Sequence, residues 1–362
     1  MKVVFCTGYY DNYLQYFYNK NAGLDEKPYE SQMEAILDDC FVSWGGLTRY
    51  FKQLDADNCL LIPNCRELQT AWAKENNVGF NEDDWQFSIP IQQIKKLRPD
   101  ILYLGSMFDY YGEFMDEVRN YTKNVFGWIS CVIPSGTKYH KLDLILSSLP
   151  SLVEKFKREG INSEYLNSSF DASILKKLAQ PLKQDIDFSF IGSITGHHQN
   201  RIYFIKELLS KTSLQLFARN VKALNNGNIL QRTLSKNKYT RRNKGDVYGL
   251  DMYNILQRSK ITFNKHIDMS NEYIGNARMF EATGAGTLLL TDGLSSPNKV
   301  FKDDEVVYYD TVDEAIEKLN YYLQHEEERI KIAKKGQERT LREYNCEVTG
   351  KRMQNYFQKY MK

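Results

Sequence analysis

Histidine, cysteine and proline are scarce in this chain of 362 residues, which has 5 histidines, 6 cysteines and 8 prolines. The cysteines form no C-x-x-C pair and lie near no histidine cluster, so the sequence predicts neither a metal site nor a disulfide framework. With 8 prolines and 21 glycines, the composition excludes a collagenous or disordered chain. No apolar run approaches the roughly 20 residues that span a bilayer, and the N-terminus lacks a signal-peptide pattern. We therefore expect a soluble, cytoplasmic protein.

A strong charge of one sign is also missing, because 48 basic and 46 acidic side chains leave a formal net charge of only +2. No global field therefore favours a nucleic-acid partner. One segment, 234–246, is locally basic. It is either a solvated loop or a contact with a phosphorylated acceptor or an anionic lipid surface, at the inner face of a membrane. The cations singled out for this peripheral contact are Lys236, Lys238, Arg241 and Arg242.

Short apolar runs alternate with helical patterns along the chain. Most of the runs are continuously apolar, which is typical of strands covered on both faces of a sheet. The alternation occurs twice and predicts two parallel, doubly wound α/β sheets. The predicted strands are 3–7, 59–63, 100–105, 125–129 and 142–147 in the first half, and 187–191, 214–218, 261–264, 287–291 and 306–309 in the second.

Two helix signals are specific. The segment 29–54 predicts one long helix or a broken pair, with the break at Gly45 and Gly46. Thr311, which precedes two acidic residues, predicts the N-cap of a helix over 312–324.

A boundary between the two α/β units is predicted at 170–185, where a helical pattern ends, a proline interrupts the chain and a new strand starts. This gives an N-terminal domain over 1–175, a second domain over 183–335 and a helical tail over 336–362. Ligands of such sheets bind outside the carboxyl ends of the strands. Two facing domains of this class form a cleft, where a reaction of two substrates would take place.

The most informative stretch is 271–292, in which a polar loop with Gly275 and Asn276 opens a short helix. Free backbone N–H groups at a helix N-terminus suit a phosphate, and Arg278 adds a cation in the first turn. Glu281 lies three residues further on, so both side chains can point at one ligand. A carboxylate there can accept hydrogen bonds from the vicinal hydroxyls of a ribose. The alternative is an exposed ion pair on an ordinary helix.

The run Asn-Ala-Arg-Met-Phe-Glu-Ala-Thr-Gly-Ala-Gly-Thr-Leu-Leu-Leu-Thr-Asp at 276–292 resembles the signature of the group 1 glycosyltransferases, in their CgeB-like, spore-maturation branch. Segments 188–193, 259–266 and 336–344 are also similar to that family, so the resemblance covers roughly 187–344. It implies a GT-B fold, in which two Rossmann-like domains face each other and the second binds a nucleotide-diphosphate sugar. It also implies that the C-terminal helix crosses back to brace the first domain.

The resemblance also gives single residues a role. Glu281 takes the position of the second Glu of the family's E-x7-E element, which holds the donor ribose, and Gly192 and Ser193 approach the diphosphate. Tyr273 stands where the first Glu of that element is expected, so this sequence departs from the family there. The Lys of the family's phosphate-clamping pair is not obvious either. Its candidate substitutes are Arg201 and, behind it, His197, Arg278 and Lys265.

The expected function is transfer of a sugar from a nucleotide-diphosphate sugar to an acceptor hydroxyl, with retention of configuration and without a metal or other cofactor. The acceptor is a glycan, a protein or a lipid-linked molecule, and the base and the sugar stay open. Donor-binding candidates are Gly192, Ser193, Asn264, Gly275, Asn276, Ala277, Arg278 and Glu281. Catalytic candidates are Arg278, Arg201 and His266. Acceptor-side candidates are Gly8, Tyr9, Tyr10, Asp109 and His140.

Two other functions are open at this point. One is a nucleotide-sugar epimerase of the same fold, which a dedicated acid/base set would favour, and the sequence shows none. The other is a degenerate scaffold that binds but does not turn over, which the departure at Tyr273 favours. The intact pair Arg278 and Glu281 counts against it.

Overall fold

The computed structural model describes residues 1–105, 107–110, 112–137, 139, 141–178, 183–194, 199–225, 241–266, 273 and 275–362. It divides into two compact units. The first consists of Met1–Asn167 together with Cys346–Lys362, and the second is Ser168–Asn345. Relative to the predicted boundaries, the second unit starts before residue 175, and residues 336–345 of the predicted tail belong to it. No helix among the described residues combines the length and the apolarity that crossing a membrane requires.

The first unit is built on a six-stranded sheet, with all strands parallel and in the order β2-β1-β3-β4-β5-β6. Strands β1, β3 and β5 are buried at every position, because they are continuous apolar runs with helices on both faces of the sheet. All five predicted strands are present, and β6 is additional. The strands are β1 (Val3–Cys6), β2 (Cys59–Leu61), β3 (Ile101–Leu104), β4 (Asn124–Trp128), β5 (Leu144–Ser147) and β6 (Ser163–Tyr165).

Eight α-helices of the described chain precede the second sheet. The predicted segment 29–54 forms two helices, and the break lies at 39–43, where Cys40 has a φ of 54°. Gly45 and Gly46 are not the break; they lie in the first turn of the second helix of this pair. The helices are α1 (Asp11–Lys20), α2 (Tyr29–Asp38), α3 (Trp44–Leu54), α4 (Arg66–Glu75), α5 (Trp85–Leu97), α6 (Glu113–Val118), α7 (Pro150–Arg158) and α8 (Ile174–Lys177).

The second unit contains a five-stranded parallel sheet in the order β11-β10-β9-β7-β8. All five predicted strands of the second half are present. They are β7 (Ile186–Ser193), β8 (Gln215–Arg219), β9 (Ser259–Asn264), β10 (Leu288–Asp292) and β11 (Val307–Tyr309). The helices that follow α8 are α9 (Gln199–Lys211), α10 (Gly249–Arg258), α11 (Ala277–Gly284), α12 (Val312–Gln324), α13 (Glu326–Glu343) and α14 (Cys346–Tyr360).

Helix α13 packs against α11 and holds it in place. The hydroxyls of Thr283 and Thr340 are 2.6 Å apart and buried, so they form a hydrogen bond between the two helices. Gly336 permits this approach, because a Cβ at that position would lie 3.3 Å from the methyl carbon of Thr283 and 2.4 Å from the carbonyl oxygen of Glu305. Phe170 packs on the same, C-terminal end of α11, where a Cβ on Gly284 would overlap its ring at 2.4 Å. The helix that carries the predicted donor residues is therefore closely packed.

The C-terminal helix α14 belongs to the first unit and completes its core. Phe357 is fully buried, and its ring centroid lies 5.7 Å from that of Phe51, 5.6 Å from that of Tyr103 and 5.2 Å from that of Phe126. These partners come from α3, β3 and β4. The last helix is therefore a structural part of the first sheet's core and not a free tail.

Candidate functional site

The candidate site lies at the carboxyl end of the second sheet. Strand β9 is paired on one side with β7 and on the other with β10, so the ends of the three strands are adjacent. Gly192 and Ser193 end β7, Asn264 ends β9, and Asp292 ends β10. Helix α11 begins directly beyond this edge, as the contacts of Asn276 show. The structure thus brings together the donor-side residues that the sequence predicts from three separate segments.

The start of α11 is joined to β9 by two asparagines. The side-chain amides of Asn264 and Asn276 exchange two hydrogen bonds of 3.0 and 3.2 Å. Asn264 Nδ2 also donates to the hydroxyl of Thr291 on β10, at 2.9 Å. Asn276 is the N-cap residue of α11, yet its side chain does not cap its own helix, because it is used in the pair with Asn264. The asparagine pair therefore ties the N-terminus of α11 to the sheet.

Arg278 and Glu281 form an ion pair on α11. Arg278 Nη1 lies 2.9 Å from Glu281 Oε2, and the two side chains are only 17% and 16% exposed. The same guanidinium nitrogen lies 3.0 Å from the sulfur of Met252 on α10. The pair is thus mostly buried, unlike an ordinary surface pair. A carboxylate has two oxygens with about four acceptor positions, so Glu281 can keep Arg278 and still accept from a ligand.

A second charged cluster lies at the ends of β9 and β10. Lys265 Nζ is 2.8 Å from Asp292 Oδ2, and His266 Nδ1 is 2.7 Å from Asp292 Oδ1. The backbone N–H of His266 also donates to Asp292 Oδ1, at 2.9 Å. Burial raises the pKa of the Asp292 carboxyl, but the hydrogen bond with His266 and the ammonium of Lys265 outweigh it. The net effect holds that pKa well below its usual range.

Arg201, one of the catalytic candidates, reaches this edge from α9. Its Nη2 donates to the carbonyl oxygen of Lys265 at 2.7 Å, and its Nη1 donates to that of Ser193 at 3.4 Å. Arg201 therefore links the ends of β7 and β9 through their backbone. Tyr309 on β11 adds a further link, because its hydroxyl donates to the carbonyl oxygen of Asn264 at 2.7 Å. Sequence reasoning missed Asp292 and Tyr309 as site residues, although Tyr309 ends a predicted strand and Asp292 directly follows one.

Two glycines of the site are needed for different reasons. A Cβ on Gly275 would lie 2.7 Å from Cε1 of Tyr273 and 2.9 Å from a methyl carbon of Val300, so the position has room only for glycine. Gly192 at the end of β7 has a φ of 153°, a backbone conformation that other residues rarely adopt. Tyr273 is half-buried, and burial raises the pKa of its phenol. The Tyr273 ring packs against Gly275, in the backbone just before α11.

The acceptor-side candidates lie in the first unit. Gly8, Tyr9 and Tyr10 follow β1 at its carboxyl end, and Asn64 holds this segment by accepting from the N–H of Tyr9 and donating to its carbonyl, at 2.9 and 2.6 Å. Tyr10 is 60% exposed, whereas Tyr9 is buried. Asp109 lies in a 3₁₀ turn, Met107–Tyr110, and its side chain is outside the described part of the chain. His140 is also outside the described residues.

Other predicted residues fall partly outside the described ranges. His197, Lys236 and Lys238 are among the residues that the structure does not describe. Arg242 is half-buried, and its guanidinium donates to the carbonyl oxygen of Thr212, whereas Arg241 is exposed. Within the described ranges, no three His, Cys, Asp or Glu side chains are grouped so that they could hold a metal ion.

A cavity of about 620 Å³ lies at the opposite edge of the second sheet. Its lining includes Lys260 and Leu288, which lie at the amino ends of β9 and β10, together with Gly286, Arg329 and Gln337. None of the predicted donor residues lines it. Ligands of parallel sheets of this class bind at the carboxyl ends of the strands, so this cavity is not the candidate site.

Asp292→Asn is expected to lower the free energy of unfolding of the second unit by about 1.5–3 kcal/mol at pH 7, because it removes the charge that Lys265 and His266 contact. The folded-state pKa of Asp292 is below the unfolded value, so its stabilisation is complete above about pH 4 and is lost as the pH falls further. Urea denaturation followed by far-UV circular dichroism at pH 7, 5 and 3 measures this difference.

The matched control for this prediction is Asp187→Asn. Asp187 also pairs with a lysine of the same unit, Lys260, at 2.6 Å, but its side chain is 51% exposed. The control should cost less than about 1 kcal/mol at any of the three pH values. Equal losses in the two variants would show that the Asp292 cluster stabilises no more than a surface ion pair does.

A family model described as glycosyl transferase-like matches residues 174–357, just over half of the chain. HepE from Anabaena, solved with UDP and glucose, is 10% identical over 99% of this chain and 100% of that one, with a TM-score of 0.59. Sucrose-phosphate synthase from Thermosynechococcus elongatus is 8% identical over 99% of both chains, with a TM-score of 0.57. A glycosyltransferase from Rickettsia africae is 9% identical over 100% of this chain and 99% of that one, with a TM-score of 0.59. No curated protein sequence matches the chain.

Proposed function

Because the chain belongs to the glycosyl transferase-like family, we propose that it transfers a sugar from a nucleotide-diphosphate sugar to an acceptor hydroxyl. The chain has the GT-B fold, with two parallel sheets flanked by helices, and the predicted fold is confirmed. We further assign it to the CgeB-like branch on the run at 276–292. The observation that carries the proposed function is the mostly buried pair of Arg278 and Glu281, which lies in the first two turns of α11 at the carboxyl edge of the second sheet.

The proposed donor site places the diphosphate at the N-terminus of α11. The first N–H groups of a helix have no partner within the helix and carry a partial positive charge, which favours an anion. Asn276 and Ala277 are the residues at this end, and Arg278 adds a full charge. Gly192 and Ser193 lie at the end of β7, two strands from β10, and approach the same edge. Glu281 would accept hydrogen bonds from the ribose hydroxyls.

The proposed reaction forms one bond and breaks one. The acceptor oxygen bonds to the anomeric carbon, and the bond from that carbon to the diphosphate breaks with both electrons passing to the phosphate oxygen. The proton of the acceptor hydroxyl leaves to a base or to the departing phosphate. Negative charge therefore grows on the diphosphate in the transition state, and fixed cations and N–H groups aimed at it lower the barrier. We propose that Arg278 and the start of α11 supply this stabilisation without a metal, and that configuration is retained.

UDP and UDP-glucose are the first probes to use for the donor site. HepE, which shares the fold, was solved with UDP and glucose.

On the acceptor side, we propose that the hydroxyl of a glycan, a protein or a lipid-linked molecule binds at the segment Gly8–Tyr10. Support comes from its place at the carboxyl end of β1 and from the exposed ring of Tyr10. Contact with an anionic membrane through Arg241 stays a prediction.

Glu281→Ala is expected to weaken UDP binding by about 1.5–3 kcal/mol, which is roughly 10- to 150-fold in Kd, because it removes hydrogen bonds to a charged acceptor. The contact is to the ribose, so uridine should lose the same factor as UDP. Isothermal titration calorimetry with both ligands measures this. The control is Glu338→Ala, since that glutamate lies on α13 and is 58% exposed. An unchanged Kd for UDP in Glu281→Ala would remove the ribose role from this residue.

The degenerate scaffold is distinguished by turnover. Tyr273, which replaces the first Glu of the family's element, is the feature that favours it. A scaffold of that kind would bind UDP-glucose with the Glu281 dependence given above, yet release no UDP from it over hours with or without acceptors. Slow release of UDP, even to water, would support the transferase.

A further inference from the structure

His266 has a buried imidazole that connects two elements of the candidate site. Its side chain is only 3% exposed, and Nδ1 lies 2.7 Å from Asp292 Oδ1. On the other side of the ring, the backbone N–H of Asn276 points at Nε2, with the nitrogens 3.3 Å apart. Asp292 belongs to β10, and Asn276 is the N-cap of α11. The ring therefore lies between the end of the sheet and the start of the helix.

The two contacts fix the protonation of the ring. Asp292 is a carboxylate and can only accept, so the hydrogen of this bond is on Nδ1. Asn276 N–H can only donate, so Nε2 must carry a lone pair and no hydrogen. The structure therefore requires the neutral imidazole with its proton on Nδ1. The imidazolium has a hydrogen on both nitrogens, and its Nε2–H would face the N–H of Asn276.

The contact with Asn276 replaces a standard part of helix capping. In a capping box, the side chain of the third helical residue accepts from the backbone N–H of the N-cap residue. Helix α12 has this arrangement, since Glu314 Oε2 accepts from Thr311 N at 3.2 Å. The third residue of α11 is Met279, whose side chain has no acceptor of comparable strength. His266 Nε2 takes that place from the end of β9.

We propose that His266 is a positioning residue of the donor site, whose neutral imidazole holds the N-terminus of α11 and whose protonation at Nε2 releases it and weakens donor binding. The inference rests on the proposed function, because α11 carries Arg278 and Glu281. In this proposal His266 positions the helix and does not take part in the chemistry, because its two ring nitrogens contact Asp292 and Asn276.

Charged and titratable groups from several elements surround His266. Asp292 faces it from β10, and Lys265 lies beside it in the chain and pairs with the same carboxylate. Arg201 reaches the carbonyl of Lys265 from α9, and Tyr309 lies at the end of β11. Among the side-chain types in this cluster, histidine is the one that commonly changes its charge between pH 5 and 8. The variant His266→Gln tests whether a change within this window comes from His266.

Two variants separate the two contacts of the ring. His266→Gln has a side-chain oxygen that can accept from Asn276 N–H as Nε2 does, and it does not titrate. His266→Asn has an N–H that can donate to Asp292 as Nδ1–H does, but it is too short to reach Asn276. The binding measurements use UDP-glucose and not UDP. The terminal phosphate of UDP titrates near pH 6, whereas UDP-glucose has no terminal phosphate and keeps its charge over the pH range used. Circular dichroism first verifies that each variant is folded.

Two measurements are made between pH 5.5 and 7.5. The first is the hydrogen-exchange protection factor of the Asn276 amide in the ligand-free protein. The second is the Kd of UDP-glucose. In the wild type we expect acidification to lower the protection factor about 10-fold and to raise the Kd about 10-fold, which is the effect of losing one buried hydrogen bond. In His266→Gln, the protection factor and the Kd should both depend little on pH. In His266→Asn, the protection factor should already be about 10-fold lower, and the Kd about 10-fold higher, at pH 7.5.

The outcomes distinguish this inference from the proposed function. A pH dependence in His266→Gln equal to that of the wild type would overturn the inference, as would wild-type protection of Asn276 in His266→Asn. If the wild type does not bind UDP-glucose but Asn276 shows the expected protection pattern, the positioning role stands and the donor assignment fails. A merely structural histidine would change the stability of the variants without moving the pH profile of binding.

Discussion

Arg278→Ala should lower the rate of sugar transfer by about 10²- to 10³-fold, the loss seen when one preorganised group is removed from a developing negative charge. Arg278 is the cation of the first turn of α11, and its side chain is 17% exposed, so little water screens its charge. The charge of the leaving diphosphate grows as the sugar bond breaks. The loss should therefore fall mainly on kcat, with a smaller rise in KM for the nucleotide sugar.

The binding counterpart of this prediction separates phosphate from nucleoside. Arg278→Ala should weaken UDP binding more than uridine binding, because only UDP carries the charge that the guanidinium is proposed to contact. Arg278→Lys keeps the charge but loses the bidentate geometry and should be intermediate. The control is Arg258→Ala. Arg258 pairs with Asp185 in the same unit, at the amino end of β9. Its replacement by alanine should therefore leave the Kd values of UDP and uridine unchanged. Equal losses for UDP and uridine in Arg278→Ala would contradict the phosphate role.

Phe357→Ala should destabilise the first unit by about 3–5 kcal/mol, the usual cost of truncating a fully buried phenylalanine. Its ring lies against Phe51, Tyr103 and Phe126, so alanine leaves a cavity between α14 and the sheet. The four tryptophans, Trp44, Trp72, Trp85 and Trp128, are all in the first unit. Tryptophan fluorescence during urea denaturation therefore reports the unfolding of this unit alone.

Two variants are the controls for Phe357→Ala. Phe357→Leu keeps most of the apolar volume and should lose less than the alanine variant. Met361→Ala changes a side chain that is 40% exposed near the same chain end, and should stay within about 0.5 kcal/mol of the wild type. A loss below 1 kcal/mol in Phe357→Ala would mean that the C-terminal helix is not part of the core of the first unit.

The sheets could be predicted from the sequence because their strands are continuous apolar runs. The ten predicted strands each have a counterpart in the structure. Strand β6 is the one strand without a predicted counterpart, because Ser-Glu-Tyr has no apolar pattern. It is held by pairing with β5 and by the hydroxyl of Ser163, which donates to the carbonyl of Ile145 at 2.8 Å. The helix over 312–324 was confirmed with its cap at Thr311, since capping is a local interaction that a short sequence specifies.

The break between α2 and α3 shows a limit of local signals. Two adjacent glycines predict an interruption, because glycine lowers helix stability by about 1 kcal/mol at each position. In the structure, Gly45 and Gly46 are buried inside α3, and a Cβ on Gly45 would lie only 3.2 Å from the carbonyl of Leu37. Gly45 therefore permits close packing of α3 on the end of α2. Tertiary contact outweighs the propensity of the two glycines to end a helix.

The site was only partly predictable for a similar reason. Arg278 and Glu281 are three residues apart on one helix, so their pairing follows from the sequence. The contacts of Asn264 with Asn276 and of His266 with Asp292 need the order of strands, because β9 must lie beside β10 in the register that pairs Asn264 with Thr291. Sequence reasoning placed His266 at a strand end without finding Asp292 as its partner.

The most direct test of the donor site is isothermal titration calorimetry of the whole chain with UDP, GDP, dTDP, CDP and ADP, in buffer without a divalent metal. We expect one of these nucleotides to bind in a 1:1 complex, and we expect Glu281→Ala and Arg278→Ala each to weaken that binding while Glu338→Ala does not. The contradicting result is that none of the five binds the wild type, or that the binding is unaffected by substitution of both Arg278 and Glu281.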